Sequence, residues 1–145
     1  SAYGADGYIK FLTRKATWEW GDGTYFAPAV LGLPHVRSSA LHQWLLYGSP
    51  HYLIYAYYSQ VFQVCLLFLI LCSIRKRIKG KPDFMLLVNL CVFGIYIFLL
   101  LWEARSRYLL NFTPLLLVSA ADGFFYIFDQ VRDWLHEKIW AKGIN

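Results

Sequence analysis

The stretch Glu103-Ala104-Arg105-Ser106-Arg107-Tyr108 holds three charges and a phenol between two apolar runs, each long enough to cross a bilayer. Ionisable side chains cost roughly 2.5 to 3.5 kcal/mol each at the centre of a membrane helix and are tolerated at its ends by snorkelling, so such a cluster is a candidate functional site. If a helix begins at or before Glu103, then Glu103 and Arg107 stand at i and i+4 and can pair, leaving Arg105 and Tyr108 for a ligand. The planar fork of arginine matches phosphate oxygens. A phosphate at headgroup level is what a lipid-linked sugar would present. Arginine and tyrosine are also ordinary anchors at a bilayer surface, and that is the competing reading.

A second constellation lies in TWEWGDGTYFAP, where Trp18, Trp20, Tyr25 and Phe26 flank Asp22 in a glycine-containing turn. Aromatic faces beside a carboxylate can stack on and hydrogen-bond a sugar ring, which makes Trp18, Trp20, Asp22 and Tyr25 candidate sugar or lipid-head contacts. Interfacial aromatic belts and Asp-Gly turns give a purely structural alternative. Asp122, within the last apolar run, can relay a proton, pair with a cation or reach water near the interface. Gln60, Gln63 and Asn89 read as interhelical hydrogen-bond partners. His35, His42 and His51 are seven and nine residues apart, a spacing that matches no zinc signature, and neither Asp6-Gly7 nor Asp22-Gly23 builds a calcium loop. No metal site, cofactor or catalytic residue is assigned.

The elements that must position these residues follow from hydropathy. The 145 residues are 58% hydrophobic and only 16% charged, with a mean hydropathy of +0.40, too apolar for a soluble domain of this size. Three runs, about residues 51–74, 84–102 and 109–128, approach the roughly 20 residues that cross 30 Å of hydrocarbon. Each must be a helix, because lipid offers no partner to backbone polar groups. The predicted fold is therefore all-α and integral to the membrane, with three transmembrane helices plus juxtamembrane amphipathic helices. Three regions result: an outer juxtamembrane segment, 1–50; the three-helix region, 51–128; and an amphipathic tail, 129–145, expected to lie on the inner surface.

Ser49 and Pro50 are expected to cap the first span. Ser38-Ser39 with ALHQWLLYG predicts a short helix ending at Gly48, and residues 8–20 predict a helix with Ile9, Leu12 and Ala16 on one face. Cys65, Cys72 and Cys91 lie in apolar runs; the first two are about 10 Å apart along one helix, too far to bridge. The net charge of +5 belongs to the connectors and accompanies no nucleic-acid motif. Arg75, Lys76, Arg77, Lys79 and Lys81 outnumber Arg105 and Arg107, so the positive-inside rule puts 75–83 and 129–145 in the cytoplasm, with 1–50 and 103–108 external to a multi-pass cell-membrane protein. The chain opens on Ser1 without a short basic leader, which reads as a fragment of a longer chain or a processed one.

WEARSRYLLNFTPLLLVSAADG resembles the late transmembrane segment of bacterial polyprenyl-phosphate-sugar-dependent glycosyltransferases of the GT-C type, related to protein O-mannosyltransferases and aminoarabinose transferases. Arg107, Tyr108, Leu109, Leu110 and Pro114 match the pattern; Asn111 stands where its first proline is usual, and Pro114 can still bend the start of the helix. The similarity covers roughly residues 102–123. It implies that Arg105 and Arg107, with Tyr108, meet the phosphate of a polyprenyl-phosphate-linked sugar, and that the parent protein transfers that sugar to an acceptor on the outer face. It also implies a catalytic acid in a first outer loop with no counterpart here, so this chain alone is expected to be inactive. The partners expected are the donor, the lipid bilayer, and the remaining helices of a parent chain or a membrane partner. A non-catalytic accessory or interaction protein, and part of a lipid-linked-sugar flippase or polymerase, are the alternatives.

Overall fold

The computed structural model describes residues 4–33, 39–78, 80, 82–102 and 105–142, with side chains through residue 139. Its elements are α1 (Ala5–Gly21), α2 (Ala27–Leu31), α3 (His42–Leu45), α4 (Tyr52–Ile78), α5 (Phe84–Leu101), a 3-10 turn (Ser106–Tyr108) and α6 (Leu109–Lys142). Helices α4 and α5, and the stretch from Ser106 to Ile139, are long and apolar enough to cross a membrane. The chain is an all-α integral membrane protein with three spanning helices. Most large apolar side chains on these helices remain exposed. Lipid is their solvent, so helix association rests on close packing and on hydrogen bonds between helices, not on exclusion of water.

The chain forms two compact units, Ser1–Cys65 with Gly94–Thr113, and Leu66–Phe93 with Pro114–Asn145. In the first unit, α1 packs against the 3-10 turn and α2 against α3. Trp20, Leu99 and Leu109 are buried there, and Trp20 meets the Tyr96 ring at 5.4 Å between centroids. In the second unit, Leu66, Ile70, Val88, Val92, Leu116 and Ala120 are buried. Gly123 lies against the backbone of α4, where a Cβ would overlap the Leu69 carbonyl.

Polar groups tie the second unit together. Asn89 of α5 donates to Ser73 Oγ of α4 at 3.0 Å and accepts from Ser119 Oγ of α6 at 2.6 Å. Asp122 accepts from Ser73 Oγ at 2.7 Å and pairs with Lys76 at 3.2 Å and Arg77 at 2.9 Å. Arg77 also meets Asp83 at 2.8 Å. Each charge therefore has a counter-charge, which is the condition for holding ions where water is scarce. Of the roles open to Asp122 from sequence, the geometry shows pairing with cations.

Several boundaries differ from expectation. Helix α4 begins at Tyr52 and runs to Ile78; Ser49 Oγ donates back to the Leu46 carbonyl at 2.7 Å and so closes the preceding turn without capping α4. Helix α3 is only four residues long, with Ser39 N donating to His42 Nδ1 at 2.8 Å and Gly48 at φ +77° ending the segment; Ser38 lies outside the described residues. Helix α1 starts at Ala5, three residues earlier than the apolar pattern predicts. The tail is not a separate surface helix. Helix α6 continues unbroken for 34 residues, because no glycine or proline interrupts the chain between Phe124 and Lys142. At about 1.5 Å per residue it reaches some 50 Å, well beyond a hydrocarbon core of about 30 Å.

A carboxylate-pinned loop and its connector

The turn after α1 is organised by Asp22. One carboxylate oxygen accepts from the Thr24 backbone N–H at 3.0 Å and the Thr24 hydroxyl at 2.6 Å. The other accepts from the Phe26 N–H at 3.1 Å and from the hydroxyl of Ser106, eighty-four residues away. Tyr25 and Phe26 are held at φ +51° and +64°, a left-handed conformation that costs a non-glycine residue roughly 1–2 kcal/mol. The carboxylate bonds offset that strain. Gly23 allows the loop to lie on α4, since a Cβ there would overlap the Ser59 carbonyl. Gln63 completes the attachment, donating to the Trp20 carbonyl and accepting from the Tyr25 hydroxyl, both at 3.0 Å. Gln60 donates to the Gly21 carbonyl.

The α5–α6 connector is anchored to α1 from its other side. Lys15 Nζ donates to the Trp102 carbonyl at 2.8 Å, and Arg105 is extended at φ −139°, leading into the 3-10 turn. Arg107 Nη2 donates to the Tyr108 hydroxyl at 3.2 Å, with its guanidinium 5.1 Å from the Tyr108 ring centroid. The proposed i, i+4 pair of Glu103 and Arg107 required a helix through both residues. Helix α6 instead begins at Leu109 after the 3-10 turn, and Glu103 lies outside the described residues.

Glu19 is the residue that the sequence reading passed over. It is fully buried at 0% exposure, and neither carboxyl oxygen accepts a hydrogen bond of ordinary geometry among the described residues, although the Arg105 N–H is near enough to act on it. Burial raises its pKa above the ordinary carboxylate value, while Lys15 and the Arg105 N–H pull the other way and offset the effect only in part. The signal was available: the 3-4 spacing of Ile9, Leu12 and Ala16 continues to Glu19 and Trp20, putting the carboxyl on the apolar face of α1.

On another side of α1 an open groove of about 590 Å³ is lined by Arg14, Trp18, Asp22, Tyr47, Tyr52 and Gln60, among others. The aromatic candidates divide accordingly. Trp18 is 70% exposed and, with Asp22, faces the groove. Trp20, 8% exposed, packs on Tyr96, and the Tyr25 hydroxyl is committed to Gln63. Arg105, Arg107 and Tyr108 stand on the connector that Ser106 fastens to Asp22. Two constellations far apart in the chain thus meet at one carboxylate.

The histidines are occupied otherwise. His42 accepts from Ser39 N, His51 stacks on Trp44 at 4.4 Å, and His35 lies outside the described residues. No group of three or more metal-ligating side chains occurs among the described residues.

The family model described as "conserved hypothetical integral membrane protein" matches residues 1–124. The chain belongs to that family. Its matched residues contain the Asp22 loop, Glu19, the 105–108 connector and Asp122, whereas α6 beyond Phe124 lies outside the match. No curated protein and no solved structure matches the chain.

Proposed function

We propose that this family member holds a phosphorylated, sugar-bearing lipid head at the Asp22–Ser106 junction, as part of a membrane glycosyltransferase that uses a polyprenyl-phosphate donor. One observation supports the reading: Asp22, which accepts from Ser106 of the arginine-bearing connector, also lines the groove that contains Arg14, Trp18, Tyr47 and Tyr52. Guanidinium forks supply charge-assisted bonds to phosphate oxygens, and aromatic faces supply stacking for a sugar ring. Asp22, with four protein donors on its two oxygens, acts as the positioning residue of this site.

In the transfer so proposed, the bond from the sugar anomeric carbon to the lipid phosphate breaks, the acceptor oxygen bonds to that carbon, and the phosphate leaves as an anion. Residues of this chain bind and orient the donor. The resemblance of residues 102–123 assigns the base that takes the acceptor proton to another part of a parent protein. On this reading the site faces outward and 75–83 is cytoplasmic, because five cations, at the end of α4 and in the connector after it, outnumber the two between α5 and α6.

Donor affinity of Arg105→Lys and Arg107→Lys tests the proposal. Lysine keeps the charge and loses the fork, so each change should weaken binding by about 1.5–3 kcal/mol if the fork is used. Lysine snorkels as well as arginine. Parental affinity in both variants, with normal membrane insertion, would reduce the cluster to an interfacial anchor.

A further inference from the structure

Past Ile127, helix α6 runs on without support from the rest of the second unit: every residue from Phe128 to Ile139 is exposed. The stretch is still helical, and no glycine or proline lets it turn aside. Asp122, which meets Lys76 and Arg77, marks a level at which charges gather, and charges gather at the edge of the hydrocarbon. From Asp122 to Ile139 is seventeen residues, about 25 Å at 1.5 Å per residue. Helix α6 therefore carries apolar side chains beyond the lipid that solvates its earlier turns.

Those side chains form one stripe. Leu117, Ala121, Phe124, Phe128, Val131 and Leu135 are all exposed and follow one another at spacings of four, three, four, three and four residues, the a/d repeat of a coiled coil. The stripe is not the face that packs inside the unit. That face, with Leu116, Ser119, Ala120 and Gly123 buried, lies roughly 100° away around the helix. Phe128, Val131, Arg132 and Leu135, at i, i+3, i+4 and i+7, border a groove of about 330 Å³ that continues to His136 and Ile139. Four residues so placed make the hole that receives one knob from a facing helix.

We propose that this stripe is the seam of a homo-oligomer, in which Val131 of a second copy of the chain enters the hole formed by Phe128, Val131, Arg132 and Leu135. Three features select a second copy over another protein or a lipid surface. Copies inserted in one membrane point the same way, so a symmetry axis along the membrane normal sets α6 beside α6, parallel and in register, the alignment that a heptad seam requires. The charges next to the stripe are answered within the chain: Arg132 meets Asp129 at 3.2 Å and Asp133 at 3.3 Å, and Lys138 stands over the Trp134 ring. With Glu137 as the remaining carboxylate, the extension is close to neutral; it does not repel its like and offers no excess charge to an acidic partner or an anionic headgroup. The seam also starts at Leu117, inside the spanning stretch, where a soluble partner cannot follow and another copy can.

Single cysteines in the full-length protein, in its membrane and with Cys65, Cys72 and Cys91 replaced by alanine, provide the test. Oxidation should join chains in pairs through Val131→Cys and through Leu135→Cys, and the joining should be lost at Asp133→Cys, on the opposite side of the helix. Val131→Asp added to the Leu135→Cys chain should abolish joining with the helix content unchanged by circular dichroism, because position 131 is exposed within one copy. Equal joining at 131 and 133 would mark random collision and overturn the proposal. Joining that survives Val131→Asp would overturn it as well. So would the absence of joining at both 131 and 135, the result expected if lipid covers the stripe, or adducts in which the second chain is a different protein.

Discussion

Asp122 and Glu19 are both carboxylates withdrawn from water, and the molecule treats them in opposite ways. Asp122 receives Ser73, Lys76 and Arg77, and the surrounding amide and hydroxyls are bonded to one another. Glu19 accepts no hydrogen bond of ordinary geometry among the described residues, and only Lys15, one helical turn away, and the Arg105 N–H act on its charge. A satisfied carboxylate in an apolar setting serves as a joint between helices; an unsatisfied one is free energy retained at a place where something else is done. The difference distinguishes a joint that holds helices together from the region in which a ligand site is proposed.

The largest expected effect is at the closed site. Asp122→Asn leaves the buried Arg77 with a single counter-ion and should destabilise the protein by about 3 kcal/mol, read as the unfolding midpoint in mixed micelles. A loss below about 0.5 kcal/mol would mean that the cluster is open to water and the contrast with Glu19 is false.

The opposite sign is expected at Glu19. Because burial raises its folded-state pKa, the folded protein binds more protons than the unfolded chain as pH rises from the unfolded carboxylate value toward the raised one. Stability from this group is therefore greatest in acid and falls as pH increases through that window. Glu19→Gln removes the titrating group and should flatten that slope, so that the variant gains stability relative to the parent on going from acid to neutral pH. Thermal unfolding of both proteins from pH 4 to 8 (about the carboxylate range and above) checks the sign. A variant that loses stability relative to the parent over that range would show that Glu19 has an unseen charged partner.

A smaller loss is expected from Ser106→Ala. Asp22 keeps its bonds from Thr24 and Phe26, so removal of the hydroxyl should cost about 1 kcal/mol in stability. It should nevertheless weaken donor binding, because the connector would no longer be fastened to the loop. Unchanged donor affinity would detach the connector from the groove as a functional unit.

The three spanning helices were legible in the sequence because lipid permits few backbone solutions and 20-residue apolar runs satisfy one of them. Their ends were less so. The hydropathy of α4 fades at Ile74, but the helix continues through Arg77, since arginine and lysine are good helix formers and Asp122 and Asp83 await them. The pairing of Asp122 was one of its readable roles, yet its partners depended on how three helices align. The candidate residues at Asp22 and at 105–108 were found from composition and spacing. Their junction through Ser106 was not, because nothing in a linear pattern relates position 22 to position 106. The burial of Glu19 was legible only in its helical phase, which sets it on one face of α1 with Leu12 and Ala16, against the usual preference of a carboxylate for water.

The most direct test of the central claim is to locate the donor's phosphate on the protein. A polyprenyl-phosphate sugar analogue with a photoreactive group next to the phosphate should be crosslinked to the full-length protein in its membrane and the adducts mapped by mass spectrometry. The expected result is labelling within residues 13–26 and 102–108, lost in the Arg105→Lys, Arg107→Lys double variant; labelling spread along α4, α5 and α6 without either segment would contradict the account.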